Sequence, residues 1–268
     1  MNICALKTPV NTTKPSFTRT HPIPRRTTAI AAALSVLALG SPLITACSNP
    51  LAVNSFNSGL DKYNQGDYQG AIADYNKAIE INPQYAGAYI NRGNSKYRSG
   101  DLQGAIADFN KAIEIDPRED KAYNNRGNSK LKLGDVQGAI ADYNKAIEIN
   151  PQDANAYNNR GSTKDDSEDY QGAIADYNKA IEVNPQYVSA YNNRGNSKRK
   201  LGDVQGASAD YNKAIEIDPK YATAYSNRSL SKYALGDKKG ACDDARKAAD
   251  LGDERSAERV KECLAMGF

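Results

Sequence analysis

Six asparagines, Asn57, Asn91, Asn125, Asn159, Asn193 and Asn227, stand 34 residues apart along the chain. An amide side chain carries both a donor and an acceptor. A row of them at repeat spacing can therefore hydrogen-bond the backbone of an extended peptide without demanding a particular sequence. Asn94, Asn128 and Asn196, together with Asn124, Asn158 and Asn192, would add further amides to the same surface, and Arg98, Lys132, Arg199 and Lys200 would add positive charge. Such a surface suits an acidic or carboxylate-ended segment. A plainer reading stands beside this one: the units are almost identical even on surfaces that need not be, so duplication would have copied these asparagines regardless of use.

Thiols supply the other chemistry. Cys47 closes the run Ile44, Thr45, Ala46, Cys47, and Cys242 and Cys263 lie near the C-terminal end. In an oxidising compartment Cys242 and Cys263 can form a disulfide, and two small core thiols are the rival reading. Imidazole chemistry is nearly absent, because the sole histidine, His21, lies in an N-terminal leader. Without it neither a Ser/His/Asp nor a Cys/His arrangement can be assembled, and neither GxSxG nor GxxxxGK occurs. No catalytic residue, metal or cofactor is nominated, and a non-enzyme is expected. Asp165, Ser167, Asp169 and Asp176 have calcium-loop spacing, but Tyr170 fills the glycine place, so a solvated turn is the reading taken.

Residues 1–60 carry Lys7, Lys14, Arg19, Arg25 and Arg26 and no acid, so of the chain's 35 bases and 32 acids the remainder keeps 30 bases against 32 acids. A mildly acidic body argues against non-specific nucleic-acid binding, which needs clustered Lys and Arg. Arg25 and Arg26 precede the apolar run 29–40, and small residues follow, which is the layout of a secretory signal. Its end resembles the lipobox of bacterial lipoproteins, in which the cysteine after the cut, here Cys47, is lipidated. The expectation is an exported chain on the periplasmic or cell-envelope face, anchored to the membrane through Cys47. A secreted form or a plastid protein of lumen or stroma are the alternatives. SNPLAVNS then reads as a short tether.

The elements that position these groups come from the repeat. YQGAIADYNKAIEINPQ at 68–84 returns every 34 residues, as do Tyr89, Tyr123, Tyr157, Tyr191 and Tyr225. A two-helix unit of this length buries its apolar face only by stacking on its neighbours. Units are taken to begin at Ala52, Ala86, Asp120, Ala154, Val188 and Ala222. Within the second, Gly93 and Ala105 are small where two helices cross, Phe109 is a large filler, Gly100 can stop the first helix in the left-handed conformation and Asp101 can cap the second. Glu168 stands where other units have glycine and marks a weak joint.

Tyr89, Gly93, Ala105, Phe109, Ala112 and Pro117, recurring in register, resemble the tetratricopeptide repeat. That resemblance implies an all-α, right-handed superhelical solenoid of helix-turn-helix hairpins, with first helices lining the inner surface and a C-terminal capping helix. It gives a leader at 1–47, a tether at 48–54, six repeats at 55–258 and the end of the cap at 259–268. Where the family pattern has an apolar and an aromatic residue flanking Gly93, this chain has Arg92 and Lys96, repeated as Arg126/Lys130, Arg160/Lys164 and Arg194/Lys198. These charges are expected to reach solvent or the acidic ends of neighbouring helices, and to loosen stacking. The functional expectation is a non-catalytic scaffold for protein or peptide partners, holding an extended segment in the concave groove. An accessory subunit docking through its convex face is the alternative, and self-association is left open.

Overall fold

The computed structural model describes residues 49–265 and Gly267, and the leader with Cys47 lies outside them. Thirteen helices and no strand are found among the described residues: α1 (Pro50–Asn64), α2 (Tyr68–Ile81), α3 (Ala86–Ser99), α4 (Leu102–Ile115), α5 (Asp120–Lys132), α6 (Val136–Ile149), α7 (Ala154–Asp166), α8 (Tyr170–Val183), α9 (Val188–Lys200), α10 (Val204–Ile217), α11 (Ala222–Ala234), α12 (Lys238–Asp250) and α13 (Glu254–Ala265). Units two to six begin at the residues the repeat predicts. The first begins earlier: the Asn49 side chain accepts from the Leu51 N–H and Pro50 takes the first helical position, so residues 50–54 are helix and not tether.

Each second helix has a marked start and end. Asp101 accepts from the Gly104 N–H at 2.9 Å, and Asp67, Asp135, Asp169, Asp203 and Asp237 repeat that cap. Asp116, before Pro117, leaves the helix in an extended conformation, as a residue preceding proline should. Between the helices of a hairpin the chain turns through one left-handed residue, such as Gly100 at φ 92°. In the fourth unit Glu168 adopts φ 64°, the single non-glycine residue to do so among the described residues.

Inside each of the first five hairpins one aromatic ring lies on a glycine of the facing helix. A Cβ built on Gly59, Gly93, Gly127, Gly161 or Gly195 would sit 2.6–2.9 Å from the ring of Tyr75, Phe109, Tyr143, Tyr177 or Tyr211, respectively. These rings are almost wholly buried, each contributing roughly 2 kcal/mol of apolar transfer. Stacking then proceeds hairpin on hairpin. First helices of successive units, α1 and α3 through to α9 and α11, touch directly, whereas successive second helices make no comparable contact. The first helices therefore lie on the inner side of the curve, and the stack is a right-handed superhelical solenoid. α13 closes it by packing on α12.

Candidate functional site

The polar departures on the first helices prove to be internal fastenings. In the third unit Arg126 donates through Nε and Nη2 to Asp142 at 2.9 and 2.6 Å, and Lys130 reaches the same carboxylate at 2.9 Å. Asp142 lies on α6 with its side chain 6% exposed. The third nitrogen of Arg126, Nη1, donates to Asn110 of the preceding hairpin at 2.7 Å. One guanidinium so joins α4, α5 and α6, and its face stacks on the Tyr123 ring at 5.3 Å. The same set recurs as Arg92/Lys96/Asp108, Arg160/Lys164/Asp176, Arg194/Lys198/Asp210 and Arg228/Lys232/Asp244. In the first unit Ser58, Lys62 and Lys77 hold Asp74, and their hydrogen bonds push its carboxyl well below the usual carboxylate range.

Of the two expected destinations, solvent is corrected, and the acidic partner on a neighbouring helix is met within that helix rather than at its end. They turn inward, because a carboxylate at the same place on every second helix lies within reach of them. The signal was present in the sequence as a constant separation of 16 residues between Arg and Asp. Asp176, bound by Arg160 and Lys164, and Asp169, capping α8, are both engaged within the repeat rather than gathered into a cation loop.

The asparagine row runs along the inner side but also binds within the protein. Asn125, Asn159, Asn193 and Asn227 donate to Asn94, Asn124, Asn158 and Asn192 of the preceding unit at 2.9–3.2 Å. Asn91 donates to the Gly87 carbonyl, and Asn57 is exposed. Asn124, Asn158 and Asn192 are buried, so their expected exposure to the groove is corrected: they are the acceptors that the next unit's amide requires. Asn94 is likewise an acceptor, while Asn128 and Asn196 accept from the hydroxyls of Tyr143 and Tyr211, both at 2.8 Å. After these bonds each row asparagine from 125 to 227 retains one N–H and its carbonyl oxygen's remaining capacity.

The inner face has relief as well as polarity. Tyr63, Asn94, Tyr97, Arg98, Phe109, Asn125 and Asn128 line a cavity of about 260 Å³. The Lys132 ammonium lies 4.3 Å from the Tyr97 ring centre, and Arg98 covers Tyr68 at 5.8 Å. Arg98, Lys132 and Lys200 are exposed at the C-terminal ends of their helices, where backbone carbonyls favour cations. Cys242 and Cys263 form a disulfide with Cα atoms 5.6 Å apart, joining α12 to α13. No group of residues suited to hold a metal ion occurs, and no helix is long and apolar enough to cross a membrane, among the described residues.

This architecture has known counterparts. The TPR repeat pattern matches residues 59–100, 93–134, 127–164, 166–202 and 195–236. No curated protein sequence gives a match. Among solved structures, MamA is 27% identical over 62% of this chain and 96% of its own, with a TM-score of 0.55. YrrB, described as a TPR protein with an unusual peptide-binding site, is 25% identical over 70% of this chain and 97% of its own, also at 0.55. The pilF protein of Pseudomonas aeruginosa shares the fold at 16% identity, covering 80% and 98%, with a TM-score of 0.70. With the repeat pattern spanning most of its length, the chain belongs to the tetratricopeptide-repeat family and is a scaffold for contacts between proteins.

Proposed function

We propose that the concave face holds an extended segment of a partner protein, with a preference for acidic or carboxylate-ended sequence. The observation that carries this is the arrangement of the inner side. Row asparagines at unit spacing retain free hydrogen-bonding capacity, Asn125 beside a cavity edged by Tyr97, Arg98 and Asn128, and exposed Arg98, Lys132 and Lys200 add charge along the path. YrrB, a relative at 25% identity, is described as carrying a peptide-binding site, which lends the reading support. We further propose that the leader at 1–47 exports the chain and that Cys47 receives a lipid, placing the scaffold at the cell-envelope surface. No step of this role calls for a catalytic group.

A photo-crosslinking residue placed at Lys132, on the inner face, or at Ala141, exposed on a second helix, separates this from docking through the convex side. Crosslinks from position 132, weakened by the exposed charge reversals Arg98→Glu and Lys200→Glu, are expected. Crosslinks from position 141 alone would move the interface to the convex face. Labelling with a radioactive fatty acid, lost in Cys47→Ser, tests the anchor.

A further inference from the structure

The last hairpin lacks the ring that fills the other five. At the places occupied by Gly195 and Tyr211 one unit earlier stand Ser229 and Ala245, both buried. The structure has a cavity of about 410 Å³ there, lined by Ser229, Leu230, Tyr233, Ala245, Arg259 and the Cys242–Cys263 bridge among others. Its mouth lies on the inner side, because Leu230 and Tyr233 take the places of Asn196 and Arg199 on the preceding first helix. Leu230 is 39% and Tyr233 52% exposed, so apolar surface borders the mouth. Void space of about 150 Å³ with an aliphatic lining already suffices to hold benzene.

The repeat itself shows what fits. Five times over, this hairpin geometry encloses one six-membered aromatic ring against the first helix. Where that ring is a tyrosine in the third and fifth units, its hydroxyl meets Asn128 or Asn196, but in the sixth the equivalent place is Leu230, which offers no acceptor. A ring without a hydroxyl is the better match, as Phe109 is in the second unit. Arg259 forms part of the cavity wall, its guanidinium held on Ser226 and Ser229 and tying α13 to α11.

We propose that this cavity is a socket for a phenylalanine side chain of the partner segment, anchoring one end of the chain that lies along the concave face. The inference rests on the groove reading for the origin of the ring, while the socket itself is testable alone. N-acetyl-phenylalaninamide is titrated into the full chain, with the Ala245 and Leu230 methyl resonances followed by NMR and N-acetyl-alaninamide as control. Saturable shifts are expected with the phenylalanine probe only. Ser229→Gly/Ala245→Phe rebuilds the internal ring of the second unit, so it should fold with equal or greater stability and bind the probe weaker by roughly tenfold or more, the worth of one buried ring. Unchanged binding in that double variant, or no saturable shift in the parent, overturns the proposal.

Two further results would overturn it by naming another occupant. One is a dimer in sedimentation that the double variant dissolves, which makes the occupant a second copy. The other is tighter probe binding in Phe268→Ala, which makes it the chain's own Phe268. Arg98→Glu/Lys132→Glu/Lys200→Glu should leave probe binding unchanged, so a failed groove and a failed socket give different results.

Discussion

Asp142 accepts from Arg126 and Lys130 with only 6% of its side chain exposed, and four other units repeat the arrangement. A buried ion pair is weak evidence for net stability, since desolvation offsets much of the attraction, but removing one partner leaves the other charge stranded. Asp142→Asn is therefore expected to lower the unfolding free energy by about 2 kcal/mol, below the full cost of stranding a buried charge because Arg126 and Lys130 keep partial contact with water. Urea titration followed by circular dichroism reads this, and an unchanged midpoint would refute it. Sequence inspection found the Arg and Lys and offered acidic helix ends as one of two destinations, but did not find the carboxylate within the facing helix that they reach. The helical period tells which residues share a face, whereas the carboxylate that meets them comes from the facing helix. The same holds for the row asparagines, whose identity was legible and whose partners one unit away were not.

At the scale of elements, legibility was high because the determinants are local. Asp101 accepting from Gly104 and the extended residue before Pro117 act within a few positions, so five units begin where the repeat places them. The start of α1 was missed although its signals, Asn49 and Pro50, are equally local; the repeat frame drew the boundary too late. The turn from α7 to α8 is the element with an internal conflict. Glu168 takes φ 64°, a conformation that glycine adopts at the equivalent turns, Gly66, Gly100, Gly134, Gly202 and Gly236. Glu168→Gly should raise stability by roughly 1 kcal/mol, because the left-handed penalty for a residue with a Cβ disappears. Hydrogen exchange at this turn should slow accordingly, and unchanged exchange with unchanged stability would refute the strain.

For the molecule as a whole, the curve follows from contact between successive first helices without comparable contact between second helices. A stack of this kind needs an end that tolerates water, and the sixth hairpin with α13 supplies it through the Cys242–Cys263 bridge and the Arg259 contacts to α11. The bridge closes a loop of 21 residues in sequence separation, so reduction should lower the stability of this end by about 3 kcal/mol in the chain-entropy account. Thermal unfolding with and without a reductant, paired with hydrogen exchange in α13, measures it. If α13 exchanges at the same rate in both, the bridge contributes nothing to the cap.

Taken alone, the sequence determined what repetition displays along the chain: the 34-residue period, the ends of most helices and the glycine and aromatic positions that recur in the first five hairpins. Tertiary structure alone decided which amides are spent between units, where the charges point and that the missing ring of the last unit leaves a cavity. The division has a physical cause. Caps, turns and periodic faces are set by interactions over a few residues, which repetition displays openly. Hydrogen-bond partners and packing volumes depend on side chains brought together from separate helices, and only their three-dimensional arrangement assigns one to another.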